Sequence, residues 1–87
     1  MGNTTDILKS DCTSKSQLYK EIFCKRLKEI REEQSLSQNA VANKLGCAIS
    51  TYANWEQGRR EPSISDIFNL IYVFKIEAND LFYLEQE

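Results

Sequence analysis

The sequence predicts an all-α domain built from five short helices. Only three glycines and one proline occur among the 87 residues, so few positions break a helix. Apolar side chains recur at spacings of three and four, the period of a helix with one buried face. We expect residues 1–15 to form a flexible N-terminal arm, residues 16–84 the folded domain and residues 85–87 a C-terminal tail.

The first two helices follow from apolar stripes and capping residues. The first should run from about Ser16 to Gln34. Its apolar stripe is Leu18, Ile22, Phe23, Leu27 and Ile30. The second begins after Ser37, whose hydroxyl can cap a helix, and ends at Gly46, which suits a left-handed backbone. Its inner face is Val41, Ala42 and Leu45.

The third helix should begin near Ala48 and end before Gly58, with Tyr52 and Trp55 turned inward. A glycine-containing turn of about three residues joins it to the second helix, which is the arrangement of a helix-turn-helix unit. Ser63 is expected to cap a fourth helix, with Asp66 as an imperfect capping-box partner. The expected inner face of that helix is Ile64, Ile67, Phe68, Ile71 and Phe74, with Leu70 alongside. A last short helix carries Leu81, Phe82 and Leu84.

Composition excludes several functions. The three cysteines, Cys12, Cys24 and Cys47, are far apart and the chain has no histidine, so we expect no zinc site, no other metal and no disulfide framework. Nucleophilic catalysis lacks a thiol beside a base, so we expect no enzymatic activity and no cofactor. No apolar run approaches the ~20 residues of a membrane-spanning helix. Reduced thiols and the absence of a secretory signal favour a cytoplasmic protein.

One face of the third helix consists of small, mostly uncharged side chains: Ile49, Ser50, Ala53 and Asn54. Such a face suits the major groove of DNA, where an asparagine can pair with adenine and an aliphatic tip can touch a thymine methyl. Arg59 and Arg60 follow and could bind phosphates. The same residues also describe an ordinary solvated helix surface, and chemistry alone leaves both readings open.

Net charge does not exclude a nucleic-acid partner, although it is −2. Residues 20–60 hold eight cations and five acids, whereas residues 76–87 hold four acids and no cation. The acidic weight therefore lies near the end of the sequence, away from the candidate face.

The motifs "RLKEIRE", "LSQ", "A..LG" and "S.Y..WE.G.R.PS" resemble the phage repressor and Cro-type family of bacterial helix-turn-helix regulators, over about residues 22–82. The resemblance implies a compact five-helix bundle of the lambda-repressor-like kind. It implies a sequence-specific regulator, typically a repressor, that reads a double-stranded DNA operator as a homodimer with its third helix in the major groove. An antitoxin or anti-repressor-like protein-interaction module remains the alternative.

The resemblance also assigns roles to residues. The DNA-binding set is Ser37, Gln38, Ala48, Ile49, Ser50, Thr51, Ala53, Asn54, Arg59 and Arg60. Arg31 and Glu56 match a pair that forms a buried salt bridge between the first and third helices. Ala48 stands where the family favours a serine or threonine cap, and Ile49 replaces a polar base reader. From the residues themselves we expect the dimer interface at Leu81, Phe82, Tyr83 and Leu84. The alternative is that this segment folds back as a lid on the core.

Overall fold

The computed structural model describes residues 12–82, with side chains described from residue 17 onward. Five α-helices follow one another in that range. They are α1 (Cys12–Glu33), α2 (Gln38–Leu45), α3 (Ile49–Gln57), α4 (Ile64–Phe74) and α5 (Ala78–Leu81). The all-α, five-helix prediction is therefore confirmed.

The first helix begins at Cys12, four residues before the expected start at Ser16 and inside the segment assigned to the arm. Residues 12–15 contain neither glycine nor proline, so nothing in them stops the backbone hydrogen-bond ladder from continuing. The rest of that arm, residues 1–11, lies outside the described residues, as does the tail of residues 85–87.

Capping chemistry fixes the ends of α2 and α3 as the sequence predicts. The Ser37 hydroxyl accepts a hydrogen bond from the Ala40 backbone N–H at 3.0 Å. Gly46 and Gly58 end the two helices with φ of 77° and 78°, a left-handed conformation that glycine adopts without steric cost. Ala48 precedes α3 and makes no side-chain capping bond. The start of α3 therefore lacks a bond that the start of α2 has.

A single buried cluster holds the helices together. Its members come from all five helices and include Tyr52 and Trp55, the inner face predicted for α3. Their rings meet edge to face at 6.0 Å. The buried apolar residues of the described chain are Leu27, Ile30, Val41, Ala42, Tyr52, Trp55, Leu70, Phe74 and Leu81.

The predicted inner face of α4 is wrong at two positions. Ile64 is 73% exposed and Phe68 is 68% exposed, while Leu70 and Phe74 are buried. Tyr72, which follows Phe68 by one helical turn, is 82% exposed. Eight of the eleven side chains of this helix are apolar, so its periodicity did not distinguish the face that meets the core. In α1, Leu18 of the predicted stripe is likewise about half exposed.

Capping bonds also order the two ends of α4 and the start of α5. Ser63 and Asp66 form a full capping box, with N–H to side-chain distances of 3.1 and 2.9 Å. Lys75 ends α4 in a left-handed conformation, with φ of 57°. At the start of α5, the Asp80 carboxylate accepts from the Glu77 N–H at 3.1 Å.

The predicted dimer interface at the end of the chain needs correction. Leu81 is fully buried in the core, because the single turn of α5 directs it under α1. Phe82 is 41% exposed and stacks on Phe23 of α1, with ring centroids 5.8 Å apart. Tyr83 and Leu84 lie outside the described residues. Leu81 is thus unavailable to a partner surface.

Within residues 12–82, no helix combines the length and the apolar character that crossing a bilayer would require.

Candidate nucleic-acid interface

The turn between α2 and α3 sets the direction in which α3 leaves the domain. The Gly46 and Cys47 N–H groups both donate to the Ala42 carbonyl, at 2.8 and 3.0 Å. These bonds close the end of α2 and leave three residues before α3 begins. Such a closed turn holds the two helices in a fixed relation, as a helix-turn-helix unit requires.

The third helix is divided into a buried side and an accessible side. Tyr52 and Trp55 are buried, whereas Ile49 is 46% exposed and Ser50 is exposed. Ala53 and Asn54 are half-buried. The accessible side consists of short side chains and carries no charge. It is the face that the sequence predicted as the candidate contact surface.

The ends of the two helices hold the remaining predicted contact residues. Ser37 and Ala48 are exposed at the capping positions of α2 and α3, and Gln38 is half-buried as the first residue of α2. Thr51 is half-buried and lines a cleft together with Asn54 and Arg60. The cleft therefore unites three of the predicted residues, while Ala48 and Ile49 lie outside it at the N-terminal end of α3.

The loop after α3 is tied to the helix through one carbonyl group. The backbone N–H groups of Arg59 and Arg60 donate to the Asn54 carbonyl oxygen, at 3.0 and 3.4 Å. Both arginine side chains are exposed. Neither has an acidic partner within 4 Å among residues 17–82, so both guanidinium groups are available to bind an external anion.

Two acidic residues beside this loop were not predicted to lie near the site. Glu61 and Asp66 line the same cleft as Arg60. Glu61 lies 3.8 Å from the ammonium group of Lys20, and Asp66 is engaged in the α4 capping box. The capping pattern was the only sequence signal for either of them.

A buried ion pair connects α1 to α3, as the resemblance implied. Arg31 donates through Nε to Glu56 Oε2 at 2.6 Å and through Nη2 to Oε1 at 3.2 Å. The side chains are only 12% and 4% exposed. Arg31 Nη1 also donates to the Leu36 carbonyl at 2.8 Å, which ties the link before α2 to the same guanidinium group.

Two further donors complete the surroundings of the Glu56 carboxylate. The Tyr52 hydroxyl donates to Oε2 at 2.5 Å, and the Gln38 side-chain amide donates to Oε1 at 3.0 Å. From the sequence, Gln38 was expected only as a contact residue, and this bond was not predicted. Its partner is 18 positions away, so no local pattern signals it.

Electrostatics keep this carboxylate ionised. Burial alone would raise the pKa of Glu56, but hydrogen bonds from Arg31, Tyr52 and Gln38 outweigh burial and lower that pKa below its ordinary value. The pKa of Tyr52 is raised by burial and by its bond to Glu56, so the phenol stays protonated and remains a donor. The hydrogen bonds that Arg31 donates to Glu56 raise the pKa of Arg31. Arg31, Glu56, Tyr52 and Gln38 therefore form a cluster in which the two charges neutralise each other and the tyrosine and glutamine remain donors to the carboxylate.

Comparisons with known proteins agree with this architecture. A family model described as helix-turn-helix matches residues 27–81. The chain is 36% identical over 62 residues to the HTH-type transcriptional regulator AnsR of Bacillus subtilis, covering 71% of this chain and 53% of AnsR. It is 30% identical over 73 residues to the uncharacterized HTH-type transcriptional regulator YqaE of the same organism, covering 75% of this chain and 63% of YqaE. Among solved structures, the restriction-modification controller protein C.AhdI of Aeromonas hydrophila matches with a TM-score of 0.67 and 33% identity, over 76% of this chain and 97% of that one.

Proposed function

The chain belongs to the helix-turn-helix family of the Cro/C1 type, and from this premise we propose that it is a transcriptional regulator that binds a specific double-stranded DNA operator. The observation that carries the proposal is the accessible side of α3, which is uncharged and formed by short side chains. It is followed by two arginines that have no acidic partner within residues 17–82. A helix with such a face fits the major groove, where side chains must approach base edges closely.

Base recognition is assigned to three side chains of α3. The Asn54 amide has the donor and acceptor needed to pair with adenine at two points. Ile49 offers an aliphatic tip to a thymine methyl group, which gives weaker discrimination than a hydrogen-bonded contact. Ser50, also exposed, can donate to or accept from either kind of base.

Phosphate contacts are assigned to residues at the start of α2, at the start of α3 and in the loop after α3. Arg59 and Arg60 supply positive charge in the loop, and Gln38 supplies an amide donor at the start of α2. Ser37, Ala48 and Thr51 lie at helix starts, where backbone N–H groups favour anions. These contacts would fix the register of α3 on the duplex without reading sequence.

We propose that the regulator acts as a repressor and as a symmetric homodimer. A protein bound across a promoter blocks polymerase without needing any further contact. Two reading helices, about one DNA turn apart, contact enough bases for useful selectivity. We assign the dimer interface to the exposed face of α4, defined by Ile64, Phe68 and Tyr72. These residues are spaced by four, lie on one side of the helix and are each at least 68% exposed.

The same α4 face supports the second candidate, a protein-interaction module of the antitoxin or anti-repressor kind. An exposed apolar stripe can bind a different protein as well as a second copy. Salt dependence separates the two, because DNA binding by arginines releases counterions and loses affinity steeply as salt rises.

Selection of bound sites from random duplex DNA tests the proposed function. We expect one motif with two-fold symmetry, whose half-sites are about ten base pairs apart. Enrichment of no duplex at low salt would refute DNA recognition and favour the interaction module. Sedimentation measured with and without the selected duplex then tests the dimer.

A further inference from the structure

The Glu56 carboxylate has its acceptor capacity fully used, and one of its donors comes from the candidate DNA surface. An ionised carboxylate offers about four acceptor positions. Arg31 fills two of them, Tyr52 one and Gln38 the last. Gln38 is the only one of these donors that belongs to α2, where it is the first residue of the helix. A buried carboxylate thus holds a side chain at the edge of the accessible surface.

The charge of Glu56 decides which end of the Gln38 amide faces it. A carboxylate only accepts hydrogen bonds, so it attracts the amide nitrogen and repels the amide oxygen. The nitrogen lies 3.0 Å from Oε1. One N–H of the amide therefore points inward, and the second N–H remains for an external acceptor.

The cationic member of the cluster uses three of the five N–H groups of its guanidinium inside the domain. Arg31 uses Nε, Nη1 and Nη2 on Glu56 and on the Leu36 carbonyl, and its side chain is 12% exposed. Its charge is also neutralised by Glu56. Among the donors to Glu56, Gln38 is the one that lies at the start of a helix, and it is half-buried.

We propose that Glu56 is a positioning residue for DNA binding, one that holds the Gln38 amide with its free N–H directed at a backbone phosphate. The inference rests on the proposed function and deepens it. Glu56 itself touches no DNA. Its contribution to affinity passes through Gln38, and it is separate from its contribution to the stability of the fold.

A double-mutant cycle with Gln38→Met and Glu56→Gln tests this coupling on the duplex selected by the wild-type protein. Gln38→Met keeps the length of the side chain and removes the amide, and we expect affinity to fall about tenfold for each subunit. The salt slope should not change, because a neutral donor releases no counterion. Glu56→Gln should cause a similar loss. The double variant should bind no more weakly than the weaker single variant.

Tyr52→Phe is the matched control, since it removes a donor from the same carboxylate and leaves Gln38 in place. It should lower the midpoint of thermal unfolding while affinity for the duplex stays within about twofold of wild type at a temperature where all variants are folded. Losses that add in the double variant would overturn the proposal. So would a loss of affinity in Tyr52→Phe as large as that in Glu56→Gln.

Hydrogen exchange of the side-chain amides in the free wild-type protein provides a measurement that needs no variant to fold. The Gln38 side-chain amide should exchange more slowly than that of Gln57, which is exposed. Equal exchange rates would mean that the bond to Glu56 is absent in solution, and the proposal would fail. Failure of the wild-type protein to bind any duplex would instead refute the proposed function, so the two failures are distinguishable.

Discussion

Adding a hydroxyl at the start of α3 should stabilise the protein. Ala48 has φ of −69° and ψ of 149°, close to the −81° and 163° of Ser37 at the start of α2. Ser37 accepts a hydrogen bond from the N–H three residues later, whereas Ala48 has no side-chain acceptor. In Ala48→Ser the new hydroxyl would lie within reach of the Thr51 N–H, which also donates to the Ala48 carbonyl at 3.1 Å. Position 48 is exposed, so the change removes no packing.

The expected gain is about 1 kcal/mol, the usual difference between serine and alanine at a helix N-cap. For a domain of this size, that gain corresponds to a rise of about 4–8 °C in the midpoint of thermal unfolding. Far-ultraviolet circular dichroism of the free protein measures it directly. Ser37→Ala should produce a loss of about the same size, because it removes the equivalent bond from α2.

Ala53→Ser is the control for the substitution itself. It makes the same chemical change inside α3, where a serine cannot cap and is a poorer helix former than alanine. The unfolding midpoint should stay the same or fall. If Ala48→Ser left the midpoint unchanged, or if Ala53→Ser raised it as much, the capping argument would be wrong.

Three further predictions concern the ion pair, the DNA contacts and the dimer. Glu56→Ala should lower the unfolding free energy by somewhat less than the roughly 3–5 kcal/mol of a fully buried pair, because it removes the counter-charge of Arg31, whose side chain is 12% exposed. The pKa of Glu56 is lowered from 4.5 in the folded state, so the wild type should lose stability as pH falls below that value. Urea titrations at several pH values measure this loss, and the Glu56→Ala variant should not show it. Asn54→Ala should cost about 1–3 kcal/mol of binding free energy on the selected site and relax the base preference at one position per half-site. Arg59→Ala should weaken binding to all sequences alike and reduce the slope of log affinity against log salt by ~0.9 per subunit. Phe68→Glu should convert the dimer to a monomer in sedimentation while the exposed Ser65→Glu does not, and a dimer that persists in Phe68→Glu would move the interface elsewhere.

Helix ends were predictable because their chemistry is local. Gly46 adopts the left-handed conformation expected of it, α3 ends before Gly58 as expected, and Ser37 and Ser63 form the expected caps. Each of these outcomes depends on residues within about four positions along the chain. The missing cap at Ala48 was visible for the same reason.

The buried face of α4 was not predictable from the residues of that helix alone. Eight of its eleven residues, in ISDIFNLIYVF, are apolar, so several rotations of the helix bury a similar apolar area. Contacts with residues far away in sequence select Leu70 and Phe74 for the core. In α3, by contrast, two large aromatics three positions apart sit among small and polar residues, and the periodicity identifies a single inner face.

The interactions within the candidate site depend on long-range contacts to different extents. The pairing of Arg31 with Glu56 was expected from the resemblance and is present, although no spacing rule links positions 25 apart. The bond from Gln38 to the same carboxylate had no signal in the sequence, because it depends on where α2 lies against α3. The face of α3 could be grouped from its own residues, whereas the contact between Gln38 and Glu56 across two helices could not.

The attachment of the arginine loop to the Asn54 carbonyl has a consequence for how binding specificity could evolve. The loop is held through the backbone of position 54, whereas the proposed base contact uses its side chain. Every amino acid has the same carbonyl group, so exchanging the side chain at 54 leaves the two arginine N–H bonds intact. Under the proposed function, substitutions at position 54 could therefore change the recognised base while the phosphate contacts of Arg59 and Arg60 stay the same.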